Sequence, residues 1–271
     1  MKSATEKRKA FRELHKSGCF VIPNPWDVGS ARILQHMGFQ ALASTSAGFA
    51  WSIGKPDHLI TLDEKLYHLT KLCNAVDLPV NADFESGFAR EPADVARNVT
   101  AAIKTGVSGL SIEDTKEGGG GLYDLKFAVE RIKAAKAAIK ASGEDVILVA
   151  RSEHMLHDPK ALTPAIDKLV AFAEAGADCL FGPGVKDKAE IAQMVKAVAP
   201  LPLSVLVMGP EMSVQDYADL GVRRLSVGAS LARVAISAFE AAADQLKEGS
   251  FKGLSTVTSS RKLNEIFGSF E

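Results

Sequence analysis

Short apolar runs of strand character recur eight times along the chain, and segments with helical periodicity separate most of them. The runs are Cys19–Pro23, Gln40–Ser44, Leu78–Ala82, Gly109–Ile112, Val146–Ala150, Asp178–Phe181, Leu203–Val207 and Arg224–Val227. Strands that alternate with helices form a parallel sheet, and eight such units close into a barrel. The repeat therefore predicts an α/β fold, a (β/α)8 TIM barrel, and the 271 residues are enough for one such domain.

The segments between the runs place their apolar residues on one helical face. Residues 93–105 do so with Val95, Val99, Ala102 and Ile103, and the stretches 125–141 and 163–175 follow the same spacing. Glycines at 38, 106, 176 and 221 mark the return from helix to strand, since glycine is favoured just past a helix end. Helices are also predicted over Leu231–Leu246 and Ser259–Phe267. The single domain, residues 1–271, should thus end in a helical extension over about 231–271.

Charge and composition narrow the range of partners and compartments. The net charge is −1, from 32 basic and 33 acidic side chains, whereas nucleic-acid-binding proteins usually carry a basic excess or patch. No apolar run approaches the roughly 18 residues that a membrane span requires. The charged segment Met1–Lys16 does not look like a signal peptide, and the three cysteines are not clustered. We expect a cytoplasmic protein with no nucleic-acid or membrane partner.

Charged side chains follow the third, fourth and fifth apolar runs. They are Asp83 and Glu85, then Glu113 and Asp114, then Arg151 and Glu153. In a TIM barrel these positions converge on the rim where catalysis occurs. A single acidic residue there could be a helix cap or a surface charge, but three successive acidic clusters are costly unless a cation neutralises them. Oxygen ligands suit Mg²⁺, with Mn²⁺ as the alternative.

Two further features of this rim allow a functional and a structural interpretation. Arg151 could hold a substrate carboxylate in a two-bond fork, or it could simply neutralise Glu113 or Glu153. The sequence Thr45-Ser46-Ala47-Gly48 has small side chains, so it could offer backbone N–H groups to an anion or could merely form a tight turn. His58, beside Asp57, could also lie at this rim, but the sequence gives it no role.

Four consecutive glycines, Gly118 to Gly121, follow the fourth run. Such a segment is too costly to order without external contacts, and beside a metal site it is a candidate lid. It lacks the Lys-Ser/Thr pair of a phosphate-binding loop, so a nucleotide-binding P-loop is excluded.

The chain resembles the isocitrate lyase and phosphoenolpyruvate mutase superfamily along nearly its whole length. The motifs that carry the resemblance are residues 24–32 (NPWDVGSAR), 45–48 (TSAG), 55–57 (KPD), 81–88 (NADFESGF), 112–114 (IED) and 150–153 (ARSE). The resemblance implies a TIM barrel whose last helix is exchanged between subunits of a homodimer or homotetramer. It implies Mg²⁺ near Asp83, Glu85 and Glu113, partly through water. It also implies a small carboxylic acid substrate cradled by Thr45, Ser46 and Ala47, with Asp57 and Asp83 nearby and Arg151 on its carboxylate.

Two departures from the superfamily pattern bear on the reaction. The lyases carry Lys-Lys/Arg-Cys-Gly-His on the lid, whereas residues 115–121 read TKEGGGG here, without cysteine or histidine. The lid of the phosphonopyruvate mutases is missing as well. Glu85 also stands where many members have aspartate, which favours contact with the metal through water.

The chemistry that both branches share is the formation of a pyruvate enolate. We therefore expect a Mg²⁺-dependent lyase or decarboxylase of a small 2-oxo or 2-hydroxy acid, with oxaloacetate as the simplest case and Arg151, Asp57, Thr45 and Glu113 as catalytic residues. Two alternatives remain open: a C–P bond hydrolase or mutase acting on phosphonopyruvate, and a barrel that binds a carboxylate without turning it over.

Overall fold

Eight parallel strands form the centre of the protein, as a computed structural model that describes residues 1–270 shows. They are β1 (Phe20–Ile22), β2 (Leu42–Ala43), β3 (Val80–Asp83), β4 (Gly109–Glu113), β5 (Ile147–Arg151), β6 (Cys179–Phe181), β7 (Leu203–Leu206) and β8 (Arg224–Ser226). Each strand from β2 to β7 pairs with the next in sequence, and β8 pairs with β1. The Ala43 N–H donates to the Pro23 carbonyl at 3.0 Å, which brings the two ends of the sheet together. The predicted TIM barrel is confirmed.

Helices alternate with the strands, as the periodicity predicted. They are α1 (Ala4–Leu14), α2 (Val28–His36), α3 (Ser46–Ser52), α4 (Leu62–Ala75), α5 (Pro92–Lys104), α6 (Leu125–Ser142), α7 (His154–His157), α8 (Leu162–Glu174), α9 (Lys188–Val198), α10 (Val214–Asp219), α11 (Ser230–Lys247) and α12 (Ser260–Gly268). Several begin at a capping residue that accepts a hydrogen bond from the first turn. Asp27 does so for α2 and Thr61 for α4.

Side chains alternate between the inside and the outside of the barrel along every strand. The outward residues, such as Leu110, Leu148 and Leu180, pack under the helices. The inward residues form a second core, which includes Ile22, Ile147 and Cys179. Phe11 of α1 belongs to this inner core, so α1 closes the amino end of the barrel.

Gly109 makes this closure sterically feasible. A Cβ atom at this position would lie 2.7 Å from the Asn81 side-chain oxygen and 2.7 Å from the Phe11 ring. The strand therefore needs a residue without a side chain where α1 reaches the barrel interior.

Two helices, α11 and α12, follow β8 in the region where the sequence predicted a helical extension. The division into a single domain with this extension stays a prediction, and its last residue, Glu271, lies outside the described residues. In α11 only Ala232 is buried, and Val234 and Phe239 are exposed. The chain then turns back, and the Arg32 guanidinium of α2 lies 5.0 Å from the centre of the Phe270 ring. Within residues 1–270, no helix is both long and apolar enough to cross a membrane. Exchange of the last helix between subunits stays a prediction.

Candidate active site

A cavity of about 200 Å³ opens at the carboxyl ends of the strands. Most of the predicted site residues line it: Thr45, Ser46, Ala47, Asp57, Asp83 and Arg151. Glu85 and Glu113 are buried beside it. The lining continues down the barrel interior through Asn24, Asn81, Ser111, Phe181, Arg224 and Ser226. The topology thus brings together residues from all eight strands and the loops that follow them, as catalysis on this fold requires.

Asp83, at the end of β3, is held in place by its neighbours. Its carboxylate accepts a hydrogen bond from the Ser46 N–H at 2.9 Å, and its own N–H donates to the Ser44 hydroxyl at 2.9 Å. Burial disfavours ionisation of this carboxyl, but Arg151, Lys65 and the Ser46 donors outweigh it and hold the pKa below its ordinary value. Asp83 is therefore a fixed anion at the cavity wall.

The segment Thr45–Gly48 is a helix start, whereas the sequence predicted a loop. Thr45 caps α3 through a hydrogen bond from the Gly48 N–H to its hydroxyl at 3.2 Å. Gly48 permits this geometry, since a Cβ atom there would lie 2.6 Å from the Thr45 methyl carbon. Of the backbone N–H groups that could bind an anion here, that of Ser46 is already bonded to Asp83 and that of Gly48 to Thr45, so anion binding by this segment stays a prediction.

Arg151, at the end of β5, lies among three carboxylates. It donates from Nε to Glu153, and it lies 3.6 Å from Glu113 and 3.7 Å from Asp83. Burial alone would lower the pKa of Arg151, but Glu153, Glu113 and Asp83 hold it above its ordinary value. The structural interpretation, in which Arg151 neutralises a carboxylate of the rim, thus applies to Glu153. The longer distances to Glu113 and Asp83 leave Arg151 less tightly bound on the cavity side.

The surroundings of Glu113 disfavour its ionised form. Burial raises its pKa to about 8, and the neighbouring Glu153 and Asp83 add to the effect while Arg151 opposes it. A further positive charge at the rim would lower this pKa again.

Glu85 and His58 form a pair that the sequence did not predict. Both adopt left-handed backbone conformations, with φ of 47° at Glu85 and 63° at His58. The His58 ring lies 3.5 Å from Glu85 and 3.8 Å from Asp57. The contact with Glu85 raises the pKa of His58 to about 9. Non-glycine residues in this conformation cluster at functional sites. In the sequence, only the position of His58 next to Asp57 suggested that His58 lies near the rim.

The donor chemistry of this rim fits a hard divalent cation. The Glu85 Oε1 atom is buried without a hydrogen-bond partner, and Glu113 is buried with its charge disfavoured. Both features are unfavourable unless a cation lies nearby. Within residues 1–270, no three side chains of His, Cys, Asp or Glu converge closely enough to hold one ion between them. The set of Asp83, Glu85 and Glu113 as metal ligands stays a prediction.

Asp114 differs from the other rim carboxylates, because its partners are structural. It accepts from Lys168 Nζ at 2.8 Å and from the Glu153 N–H at 2.8 Å. Lys168 also donates to the Tyr123 carbonyl at 2.7 Å. This arrangement fixes the base of the glycine-rich segment, where Thr115 and Leu122 form an antiparallel bridge.

The glycine-rich tip beyond that base is an ordered turn over the site. Gly118, Gly119 and Gly121 have positive φ angles of 70°, 79° and 97°, which explains why glycine is needed there. A Cβ atom at Gly119 would lie 3.8 Å from the His58 ring. The tip therefore lies next to the rim, while its role as a moving lid stays a prediction.

Two buried cations near the cavity were also missed from the sequence. Lys65 of α4 has no exposed surface and its Nζ atom has no hydrogen-bond partner. Arg224 of β8 lines the lower part of the cavity. The available signal for Arg224 was a charged residue at an inward position of an apolar strand. Lys65 gave no signal, because helical spacing does not show how deeply a helix is packed.

The chain is similar to known proteins over most of its length. The family model described as phosphoenolpyruvate phosphomutase matches residues 11–247. A crystal structure from Burkholderia cenocepacia J2315, described as a lyase/mutase, superposes with a TM-score of 0.94 at 42% identity and covers 98% of this chain and 97% of that one.

Two curated enzymes are similar over most of the chain. The 2-methylisocitrate lyase of Escherichia coli is 32% identical over 70% of this chain and 66% of its own length. An oxaloacetate decarboxylase of Pseudomonas aeruginosa is 31% identical over 80% of this chain and 77% of its own length. The superfamily consists of carbon–carbon lyases and mutases and uses divalent metal ions. The chain belongs to the phosphoenolpyruvate phosphomutase family, and it is an enzyme of the isocitrate lyase/PEP mutase superfamily.

Proposed function

We propose that the protein is a Mg²⁺-dependent lyase or decarboxylase that cleaves a C–C bond of a small 2-oxo or 2-hydroxy acid. The observation that carries the proposal is the position of Arg151, which lines the cavity between Asp83 and Glu113. A guanidinium binds a carboxylate through two parallel hydrogen bonds, so this position suits the carboxylate of a 2-oxo acid. Similarity to an oxaloacetate decarboxylase makes oxaloacetate the first substrate to test.

For oxaloacetate the reaction is a simple sequence of bond changes. The C3–C4 bond breaks, CO2 leaves, and the electron pair forms the enolate of pyruvate, which then takes a proton at C3. Arg151 would hold the C1 carboxylate, and the Ser46–Asp83 pair would fix the cavity wall beside the 2-oxygen. A Mg²⁺ or Mn²⁺ ion near Asp83, Glu85 and Glu113 would stabilise the negative charge on that oxygen.

Cleavage of a C–P bond in phosphonopyruvate is the second candidate, because the family is named for a phosphomutase. It predicts release of phosphate together with pyruvate, or formation of phosphoenolpyruvate, whereas the first proposal predicts pyruvate with a carbon-containing second product, CO2 for oxaloacetate, and no phosphate. The third reading, a barrel that binds a carboxylate without turnover, is set aside because the chain is an enzyme of the superfamily.

The test is pyruvate release coupled to lactate dehydrogenase, with Mg²⁺ and with chelator. Oxaloacetate, phosphonopyruvate, 2-methylisocitrate and substituted malates form the panel. We expect chelator-sensitive release from one of them, and a loss of at least about 100-fold in Asp83→Ala and Arg151→Lys, since a point charge cannot replace the guanidinium fork. Asp63→Ala, on the exposed side of α4, is the control and should keep full activity. Unchanged activity in both site variants would show that the proposed site is wrong.

We also propose that the protein is a homodimer or homotetramer in which the last helix is exchanged. In support, α11 exposes Val234, Ile236 and Phe239, and an apolar depression beside it is lined by Trp26, Trp51 and Ala232. Exposed apolar surface of this kind is typical of subunit contacts. Light scattering behind gel filtration should give a multiple of the 28.8 kDa chain mass, and a monomer at micromolar concentration would contradict the proposal.

A further inference from the structure

The lysine that enters the protein interior from α4 has no partner for its ammonium group. Lys65 lies on the same face of α4 as the core residues Leu69 and Leu72, and none of its surface is exposed. Among the residues that the structure describes, none forms a hydrogen bond with its Nζ atom. A buried ammonium without a partner is unfavourable, so the stability of the fold does not explain why a lysine stands here.

The two other buried lysines in residues 1–270 show how a lysine with a structural role is bound in this protein. Lys7 donates two hydrogen bonds to backbone carbonyls, and Lys168 donates to the Asp114 carboxylate and to a backbone carbonyl. Lys65 is as deeply buried as either of them and makes no such bond. Its charge therefore acts on its surroundings through space and not through a hydrogen bond.

The packing of α4 places Lys65 beneath the rim of the candidate active site. His68, one helical turn further along, has its Nε2 atom 2.9 Å from the Trp26 carbonyl, and the centre of its ring lies 3.9 Å from that of Phe49. Trp26 follows β1, and Phe49 belongs to α3, which follows β2. Both contacts therefore anchor the first half of α4 to segments at the carboxyl ends of the strands, where the cavity opens.

Carboxylates of the rim act on Lys65 through their charge. Burial lowers the pKa of Lys65, whereas nearby carboxylates oppose this effect and favour the charged ammonium. In the order of their effect, these carboxylates belong to Asp83, Glu85, Asp57 and Glu113. The interaction is mutual, because Lys65 helps to hold the pKa of Asp83 below its ordinary value. Lys65 is thus a positive charge beside the carboxylates that would hold the metal ion.

The charges of this rim balance when one divalent cation is added. Five carboxylates lie there with three cations, apart from Asp114, which Lys168 neutralises. The carboxylates are those of Asp57, Asp83, Glu85, Glu113 and Glu153, and the cations are Arg151, His58 and Lys65. With all of them ionised, two negative charges remain, which a divalent cation would cancel. Without Lys65, the rim with its metal ion would stay negative and would repel an anionic substrate.

We propose that Lys65 divides the affinity of the site between its two ligands: it weakens the binding of the divalent cation and strengthens the binding of the anionic substrate. The inference rests on the proposed function, which supplies the metal ion and the 2-oxo acid. Lys65 lies behind the wall of the cavity and does not line it, so it is a positioning residue and not a catalytic one. A charge that repels one ligand and attracts the other shifts the two affinities in opposite directions when it is removed. Disturbed packing would not have this effect.

The experiment measures the two affinities separately. Mn²⁺ is the cation probe, because electron paramagnetic resonance reports the free ion. Oxalate is the anion probe, because it chelates a divalent cation through two oxygens as a 2-oxo acid would. Compared with the wild type, Lys65→Met should bind Mn²⁺ about 10-fold more tightly in the absence of oxalate. Calorimetry on the Mn²⁺-loaded proteins should show that the same variant binds oxalate about 10-fold more weakly.

Two further variants separate the charge of Lys65 from its shape. Lys65→Gln also removes the charge but keeps a polar group, so both affinities should shift in the same directions as in Lys65→Met. Lys7→Met is the matched control, because it removes a buried lysine at the amino end of the barrel. Measured below its melting temperature, it should bind Mn²⁺ and oxalate as the wild type does.

A parallel loss of Mn²⁺ and oxalate binding in Lys65→Met would show a purely structural role and overturn the inference. Unchanged affinities for both probes would overturn it as well, since the charge of Lys65 would then not reach either ligand. The same conclusion would follow if neither the wild type nor Lys65→Met bound Mn²⁺.

The proposed function fails by a different result, namely no pyruvate from any member of the panel. Opposite shifts of the Mn²⁺ and oxalate affinities without pyruvate release would support the role of Lys65 and contradict the reaction. Pyruvate release together with unchanged affinities in Lys65→Met would do the reverse.

Discussion

Buried cations at the two ends of the barrel differ in whether their hydrogen bonds are satisfied. At the amino end, Lys7 of α1 donates to the carbonyls of Cys73 and Val76 at 2.8 and 2.6 Å. Arg8 donates to the carbonyls of Val107 and Ile103 at 3.0 and 2.9 Å, and it pairs with Glu144. Toward the carboxyl end, the Lys65 Nζ atom is buried with no hydrogen-bond partner.

The difference separates stability from function. The amino-end cations are 5% and 3% exposed, and each one ties α1 to the elements that precede the strands. Their hydrogen bonds are complete, so they add to the free energy of unfolding. The unpartnered Lys65 lies near the end of the barrel where such enzymes bind their substrates, and it costs stability that a ligand would restore. The buried cations at the amino end thus stabilise the fold, whereas the unpartnered Lys65 near the carboxyl end destabilises it.

The largest effect on stability is expected from Arg8→Met. The substitution leaves two buried carbonyls and Glu144 without their donor, so the free energy of unfolding should fall by about 3 kcal/mol. The catalytic rate on any accepted substrate should stay as in the wild type, because the opposite rim is untouched. Thermal melting and the pyruvate assay measure the two effects. A reduced rate with an unchanged melting temperature would reverse the assignment of the two ends.

A smaller effect of opposite sign is expected from Lys65→Met. Burial lowers the pKa of Lys65. Because its amine has no hydrogen-bond partner, its removal should leave the free energy of unfolding unchanged or increase it by about 1 kcal/mol, and the melting temperature should follow. Activity should fall, because Lys65 helps to hold the pKa of Asp83 below its ordinary value. Lys7→Met is the matched control, since it removes a partnered lysine and should lower the melting temperature. Equal destabilisation by both substitutions would contradict the comparison.

Much of this architecture was predictable from periodicity. Strand-like runs, glycines after helices and the charges at the ends of β3, β4 and β5 were enough to predict the barrel and to place Asp83 and Arg151 at the cavity. The prediction worked because inward and outward positions alternate, so Asp83 and Arg151 could reach only the interior.

The remaining features depend on contacts between distant segments, which no local pattern encodes. His58 meets Glu85 only because both adopt left-handed conformations. The start of α3 at Ser46 depends on a cap by Thr45 that the small residues concealed. Asp114 looked like its neighbour Glu113, yet Lys168, 54 positions away, removes it from the site.

The smallest expected effect concerns stability in acid and involves His15, which is packed between aromatic rings at the amino end. His15 packs against Phe11 and Phe20, with ring centres 4.6 and 5.2 Å apart, and its Nδ1 lies 2.8 Å from the Phe11 carbonyl. Burial lowers its pKa to about 3 from the ordinary value of 6.5. As the pH falls from about 6.5 to 3, His15 becomes protonated in the unfolded chain but stays neutral in the folded protein. The free energy of unfolding therefore decreases across this pH range.

His15→Phe should remove this part of the loss. The drop in melting temperature between pH 7 and pH 4.5 should be smaller in His15→Phe than in the wild type, while the exposed His36→Phe should match the wild type. Some acid sensitivity should remain, because burial also lowers the pKa of His68 to about 3, where its ring stacks on Phe49 at 3.9 Å. If His15→Phe lost as much stability in acid as the wild type, the amino end would not be the proton-excluding region that the burial of His15 indicates.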